Sequence, residues 1–121
     1  MSCDEVVNID GVEYVRSDLR QKAVRTDGLE YVIVRTRSAG VFAGYLAGRD
    51  YKEVKLLNAR RLWYWSGAAS LSQLAVDGVA NPDKCKFPTE VDSITLTEAI
   101  EIIPCTVKAQ RSIRGVKVWQ V

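Results

Sequence analysis

The ten residues Asn58 to Gly67, Asn-Ala-Arg-Arg-Leu-Trp-Tyr-Trp-Ser-Gly, set two adjacent guanidinium groups beside three aromatic rings. Guanidinium forks hold phosphate oxygens in pairs, and indole and phenol planes stack on nucleobases. The combination suits a planar, negatively charged ligand such as a nucleotide. On an extended strand Arg61, Trp63 and Trp65 point to one face, and Arg60, Leu62 and Tyr64 to the other. The same residues also fit an ordinary strand whose arginine snorkels over its neighbours. Upstream, Arg35, Arg37 and Ser38 add further phosphate-binding groups. The candidate ligand-binding set is therefore Arg35, Arg37, Ser38, Arg60, Arg61, Trp63, Tyr64, Trp65 and Ser66.

Other chemistries lack their residues. The chain has no histidine, which removes the usual general base and the commonest metal ligand. Cys3, Cys85 and Cys105 are an odd number at unrelated spacings, so they make neither a disulfide framework nor a zinc signature and read as reduced thiols. No serine or cysteine has a recognisable triad partner, and no paired carboxylate motif is present. Binding without turnover, with no cofactor and no metal, is the expectation.

Charge is distributed unevenly along the 121 residues, although the net value is only +2. Residues 1 to 28 carry four basic and six acidic side chains, and residues 66 to 121 carry six of each. Residues 29 to 65 carry seven basic against three acidic, a local balance of +4 that ends on the aromatic cluster. A solvated β-meander shows the same bias. No apolar run reaches the roughly 18 residues needed to span a bilayer, and the acidic N-terminus lacks the apolar core of a signal peptide. A cytosolic protein is expected.

The elements that must position the cluster follow from pattern. Val6 to Ile9 and Val12 to Val15 flank Asp10-Gly11, a hairpin signal. Ser17 fits the cap of a helical turn through Ala23, with a connector to Gly28. Tyr31-Val-Ile-Val34 has no alternation, as in a strand buried on both faces. Glycines at 40, 44 and 48 suit a bent strand over Val41 to Leu46. Strands follow over Lys52 to Asn58 and Arg60 to Trp65.

Beyond the cluster, Ser70 caps a helix through Val76 that Gly78 ends, and the small-residue loop before it would let a phosphate approach the helix start. Glu90 to Leu96 reads as a strand, as does Glu98 to Ile103, with a helix over Thr97 to Ile103 as the competing reading. Thr106 caps a helix through Ile113, and Val116 to Trp119 closes the chain as a strand, with Trp119 as a core or interface plug. The fold class is α+β, a mainly antiparallel, strongly bent sheet or small barrel with two or three short helices. Residues 1 to 28 form a hairpin and connector, and residues 30 to 121 a single globular β-rich domain.

Three stretches carry a resemblance: Val34 to Gly44, Asn58 to Gly78 and Leu96 to Thr106. Together they resemble a family of short proteins of unknown function encoded by tailed bacteriophages, over about residues 30 to 119. The resemblance brings no settled activity. It implies a phage accessory protein acting in the cytoplasm of the infected host. Phage accessory proteins of this size often bind rather than turn over, and one strategy is a homo-oligomeric sponge that sequesters cyclic nucleotide or ADP-ribose-derived immune messengers. The alternatives are a single-stranded nucleic-acid-binding module and a protein-protein inhibitor of a host enzyme.

Overall fold

A computed structural model describes the backbone of Val6–Ile9 and Val12–Val15 and the whole of residues 19–119. The first two segments are strands β1 and β2, paired antiparallel with Val6 opposite Val15 and Ile9 opposite Val12. This is the hairpin expected from the flanking runs; Asp10-Gly11 itself lies outside the described residues, as does Ser17.

Five further strands make one antiparallel sheet: β3 (Tyr31–Thr36), β4 (Val41–Asp50), β5 (Glu53–Arg61), β6 (Val91–Leu96) and β7 (Ala99–Pro104). Their order across the sheet is β6-β5-β4-β3-β7. Two helices, α1 (Leu71–Asp77) and α2 (Val107–Gly115), pack on it, and Pro82–Lys84 makes a 3₁₀ turn. The class is α+β, mostly sheet.

The sheet is strongly curled. β6 and β7 lie at opposite edges, yet only Thr97 and Glu98 separate them in the chain, so the two edges must meet at that end. Backbone bonds hold the crossing: Ala99 donates to the Lys52 carbonyl at 2.9 Å, and Arg37 to that of Glu98 at 3.0 Å. The curl originates in β4 and β5, whose pairing slips between Ala43 and Tyr45 and again between Leu46 and Gly48. Asn58 takes up the first slip with a left-handed φ of 49°. Opposite it, a Cβ at Gly44 would lie 3.0 Å from the Leu57 carbonyl oxygen and 3.1 Å from the Ala59 Cα. Only glycine lets the two backbones approach so closely.

Among the described residues no ladder joins β6 to β7, so the sheet is open and the barrel alternative does not hold. A two-residue connection usually pairs the strands it joins as a hairpin, but here β6 pairs with β5 and β7 with β3.

Curling gives the sheet two cores, and this accounts for the uninterrupted apolar run in β3. Tyr31 and Ile33 face the helices with Tyr45, Leu74, Phe87 and Ile113. Val32 and Val34 face the inside of the curl with Phe42, Val54, Leu56 and Leu96. Leu19 and Ala23 are buried as well, so residues 19 to 28 pack onto the sheet.

Both helices start where a hydroxyl caps them. The Ser70 Oγ accepts from the Gln73 N–H at 3.1 Å. The Thr106 Oγ1 accepts from the Ala109 N–H at 3.1 Å and donates to the Val76 carbonyl at 2.6 Å, tying α2 to the end of α1. The strand expected over Glu98 to Ile103 is β7, Ala99–Pro104, so the competing helical reading does not hold.

Three local expectations need correction. Ala23 is extended rather than helical, because its N–H donates to the Cys105 carbonyl at 2.9 Å and its carbonyl accepts from Tyr31 at 2.8 Å. β5 is one strand through the Asn58 bulge and stops at Arg61, instead of two strands reaching Trp65. Val116 to Trp119 forms only an isolated parallel bridge, Phe87 to Val118, since no strand lies alongside to extend it.

Candidate functional site

The two adjacent arginines part at the sheet. Arg60 is opposite Ala43 and points towards the helices, where only 3% of the residue is exposed. Its Nε donates to the Pro88 carbonyl at 2.8 Å, Nη1 to that of Ile113 at 2.8 Å, and Nη2 to that of Phe87 at 3.1 Å. The guanidinium thus satisfies carbonyls left over at the end of α2 and in the preceding loop, and it answers the negative end of the helix. Burial pulls its proton affinity below the ordinary arginine value.

Arg61, opposite Phe42, points to the other side. Its guanidinium lies 4.5 Å from the Phe42 ring centre and donates from Nη1 to the Ala39 carbonyl at 2.6 Å. It covers the inner core and pins the turn between β3 and β4. In that turn Arg37 and Ser38 are exposed, and Ser38 lines a depression of about 130 Å³ with Thr36, Ala39, Leu96, Thr97 and Glu98. Arg35 is paired with Glu101, Nε to Oε1 at 3.2 Å, directly across β3 and β7. Arg35, Arg37, Ser38 and Arg61 therefore lie towards one end of the sheet, with Arg61 on the inner face, whereas Arg60 is buried on the helix side.

The aromatic residues are also divided. Strand alternation ends with β5 at Arg61, so Arg61, Trp63 and Trp65 do not share one face. Leu62 is buried, and Trp65 packs half-buried against the helix-side core. Trp63 is 64% exposed and Tyr64 is 52% exposed. Tyr64 exchanges backbone bonds with Lys86, at 3.2 and 2.7 Å. The Lys86 Nζ lies 6.0 Å from the Tyr64 ring centre and 5.8 Å from that of Trp119.

Trp119 is itself 40% exposed, instead of plugging a core, and is held where its N–H donates to the Phe87 carbonyl at 2.9 Å. The parallel bridge between Phe87 and Val118 puts Lys86 and Lys117 at neighbouring positions. Tyr64, Lys86, Lys117 and Trp119 thus form an exposed aromatic and basic ledge, and the exposed Trp63 precedes Tyr64 in the chain. Among the described residues no carboxylate pairs with Lys86.

Sequence pattern found Trp63 and Tyr64 but missed Lys86, Lys117 and Trp119. Nothing in the local pattern around Lys86 or Lys117 marks them, because the ledge exists only through the pairing of residues 64, 86–87 and 118.

Ser66 serves the loops rather than the ledge: its N–H donates to the Cys85 Sγ at 3.4 Å, and its Oγ accepts from the Asn81 amide at 3.3 Å. At the start of α1 the Ala69 N–H is taken by Gln73 Oε1 at 2.8 Å and the Gln73 N–H by Ser70, so those donors are occupied. Among the described residues no three Asp, Glu or Cys side chains converge as a metal would require. No helix among them is long and apolar enough to cross a membrane. Neither Trp63, Tyr64, Trp65 nor Trp119 lines any of three depressions of about 130, 170 and 220 Å³.

Among the described residues, an open, curled five-stranded antiparallel sheet backed by two short helices defines a small α+β domain that carries this surface ledge. The chain belongs to the family described as Domain of unknown function (DUF6948), whose model matches residues 29–113. Comparison with curated proteins and with solved structures gave no match.

Proposed function

We propose that the protein is a non-enzymatic binding module whose ledge of Tyr64, Lys86, Lys117 and Trp119, together with the exposed neighbouring ring of Trp63, stacks bases of a single-stranded nucleic acid. The observation that carries this reading is the Lys86 ammonium set between two exposed rings, 6.0 Å from Tyr64 and 5.8 Å from Trp119. Aromatic planes offer every base a stacking partner, and the lysines follow the backbone phosphates without reading sequence. The setting implied by the resemblance, a phage accessory protein in the host cytoplasm, is compatible with such a role.

Openness favours a strand over a small nucleotide messenger. A site for a small ligand buries most of the ligand's surface in a cleft of roughly 300–1,000 Å³. The ledge residues line none of the three depressions described above, each of which is smaller than that. Sequestering a cyclic nucleotide would need a second copy of the chain to close over the ledge.

Fluorescence anisotropy with single-stranded oligonucleotides over a salt series tests the reading. Binding should weaken linearly in log-log form as salt rises, and Lys86→Ala should lower that slope by about 0.7, the value for one lost phosphate contact on a single strand. A salt-independent signal, or none with single strands alongside heat released on titrating a cyclic dinucleotide, would replace this reading with the messenger one.

A further inference from the structure

A cavity of about 220 Å³ opens beside the ledge, lined by Arg60, Thr89, Glu90, Arg114, Val116 and Val118. Its wall contains an arginine fork already closed on an oxyanion. The Arg114 Nε donates to Glu90 Oε2 at 3.0 Å and its Nη2 to Glu90 Oε1 at 2.9 Å, while Nη1 donates to the Tyr45 hydroxyl at 3.2 Å. The second guanidinium, Arg60, has only carbonyl oxygens as acceptors, and one Nη2 hydrogen has no acceptor among the described residues. Two guanidiniums therefore line the cavity beside one carboxylate, which only Arg114 engages. Deeper in, the buried Tyr31 hydroxyl has no hydrogen-bond partner among the described residues.

Glu90 stands on the short stretch between Pro88 and β6, and its partner Arg114 is at the exposed end of α2. A planar fork that accepts a carboxylate through two parallel bonds accepts a phosphate in the same way. We infer that this cavity is a binding site for a phosphate group, which takes the Arg114 fork from Glu90 and gains the free hydrogen of Arg60 and the Thr89 hydroxyl. With Glu90 displaced into solvent, the two guanidiniums match the charge of a phosphate dianion. Glu90 acts as the built-in competitor that keeps the fork in place when the ligand is absent. This site does not depend on the ledge, since Lys86 and Trp119 do not line it.

Thermal unfolding of the full chain in sodium phosphate against sodium chloride, at matched ionic strength and pH, tests the inference. The melting temperature should be higher in phosphate, and Arg114→Gln should abolish the difference. Glu90→Gln, which removes the competitor but keeps both arginines, should reduce the phosphate needed for half the effect by up to about fivefold, the worth of one exposed ion pair.

No phosphate response in the natural chain, a response that survives Arg114→Gln, or a weaker response in Glu90→Gln would overturn it. The Lys86→Ala, Trp119→Ala double variant should keep the response, so failure of the ledge and failure of the cavity are separate results. Oligonucleotides with a 5′-phosphate and a 5′-hydroxyl then distinguish the sources. An Arg114-dependent preference for the phosphorylated strand assigns the site to a strand end, and equal binding beside an intact phosphate response assigns it to a free phosphate compound.

Discussion

The Arg60 guanidinium donates to the Ile113 carbonyl at 2.8 Å, across 53 positions of sequence, and so fastens the last residues of β5 to the end of α2. Each helix end leaves carbonyls without partners, and a cation there also meets the negative end of the helix. The most polar side chain of the cluster is thus a strut of the fold.

Replacing that strut should be costly. Arg60→Leu leaves the Pro88 carbonyl without a donor and takes the charged one of two donors from the carbonyls of Phe87 and Ile113, and a charged hydrogen bond is worth roughly 1.5–3 kcal/mol. We expect a loss of roughly 2–4 kcal/mol in urea denaturation, since such bonds are not additive. Arg60→Lys should recover only part, because one ammonium cannot reach three divergent carbonyls. A loss below about 1 kcal/mol would show that the guanidinium is free for another role.

Trp63 and Trp65 should separate binding from stability. Trp63→Ala removes an exposed ring, so its stability effect should stay within about 0.5 kcal/mol. In the same variant, oligonucleotide binding should weaken by about 1–3 kcal/mol, the value of one stacked base. Trp65→Ala removes a ring that packs on Leu62 and the helix-side core, and should cost about 1–3 kcal/mol of stability, part of the penalty for a fully buried aromatic. Equal effects of the two on stability would contradict this division.

These contrasts show why the fold was more legible than the site. Ser70, Thr106 and Gly78 act within a few residues of themselves, so their caps and terminator can be read directly from the chain. The run Tyr31 to Val34 announced burial on both faces because four consecutive apolar residues, three of them β-branched, leave a strand no polar face. Trp63 to Trp65 misled because strand alternation holds only while a neighbouring strand continues, and beyond Arg61 β4 has only Val41, whose carbonyl accepts from Leu62. Arg60 looked like a ligand group because its carbonyl partners, at 87, 88 and 113, are distant in sequence. Lys86, Lys117 and Trp119 had no local signal, since three separate segments must meet to build the ledge.

The evenly spaced glycines of β4 should respond unequally. Gly44→Ala puts a Cβ about 3.0–3.2 Å from Leu57, Ala59 and Leu56, two of these contacts being backbone that cannot move aside alone. A cost of about 1–3 kcal/mol is expected. Gly48 has nothing within 4 Å of the position a Cβ would take, so Gly48→Ala should be neutral or stabilise by up to about 1 kcal/mol through the unfolded chain. Chemical denaturation of both variants checks the pair; comparable losses would mean that the bend depends on flexibility instead of close approach at Gly44.

Alkaline pH should reveal the buried thiol beneath α2. Burial pushes the Cys105 thiol up to about 12, from 9.0 for an ordinary thiol. Between those values the folded chain keeps a proton that the unfolded chain has lost, so the contribution is complete below pH 9 and declines as pH rises, by up to about 1.4 kcal/mol per pH unit. Tyr31 acts in the same direction further up the scale, because burial raises its phenol as well. Cys105→Ala shifts stability by a constant amount through its small cavity, so the slope is the readout and not the level. Between about pH 9 and pH 10.5 the unfolding free energy of the natural chain should fall more steeply than that of the variant. Parallel slopes would mean that the Cys105 thiolate forms as readily in the folded chain as in the unfolded one, and that water reaches the junction of β7 and α2.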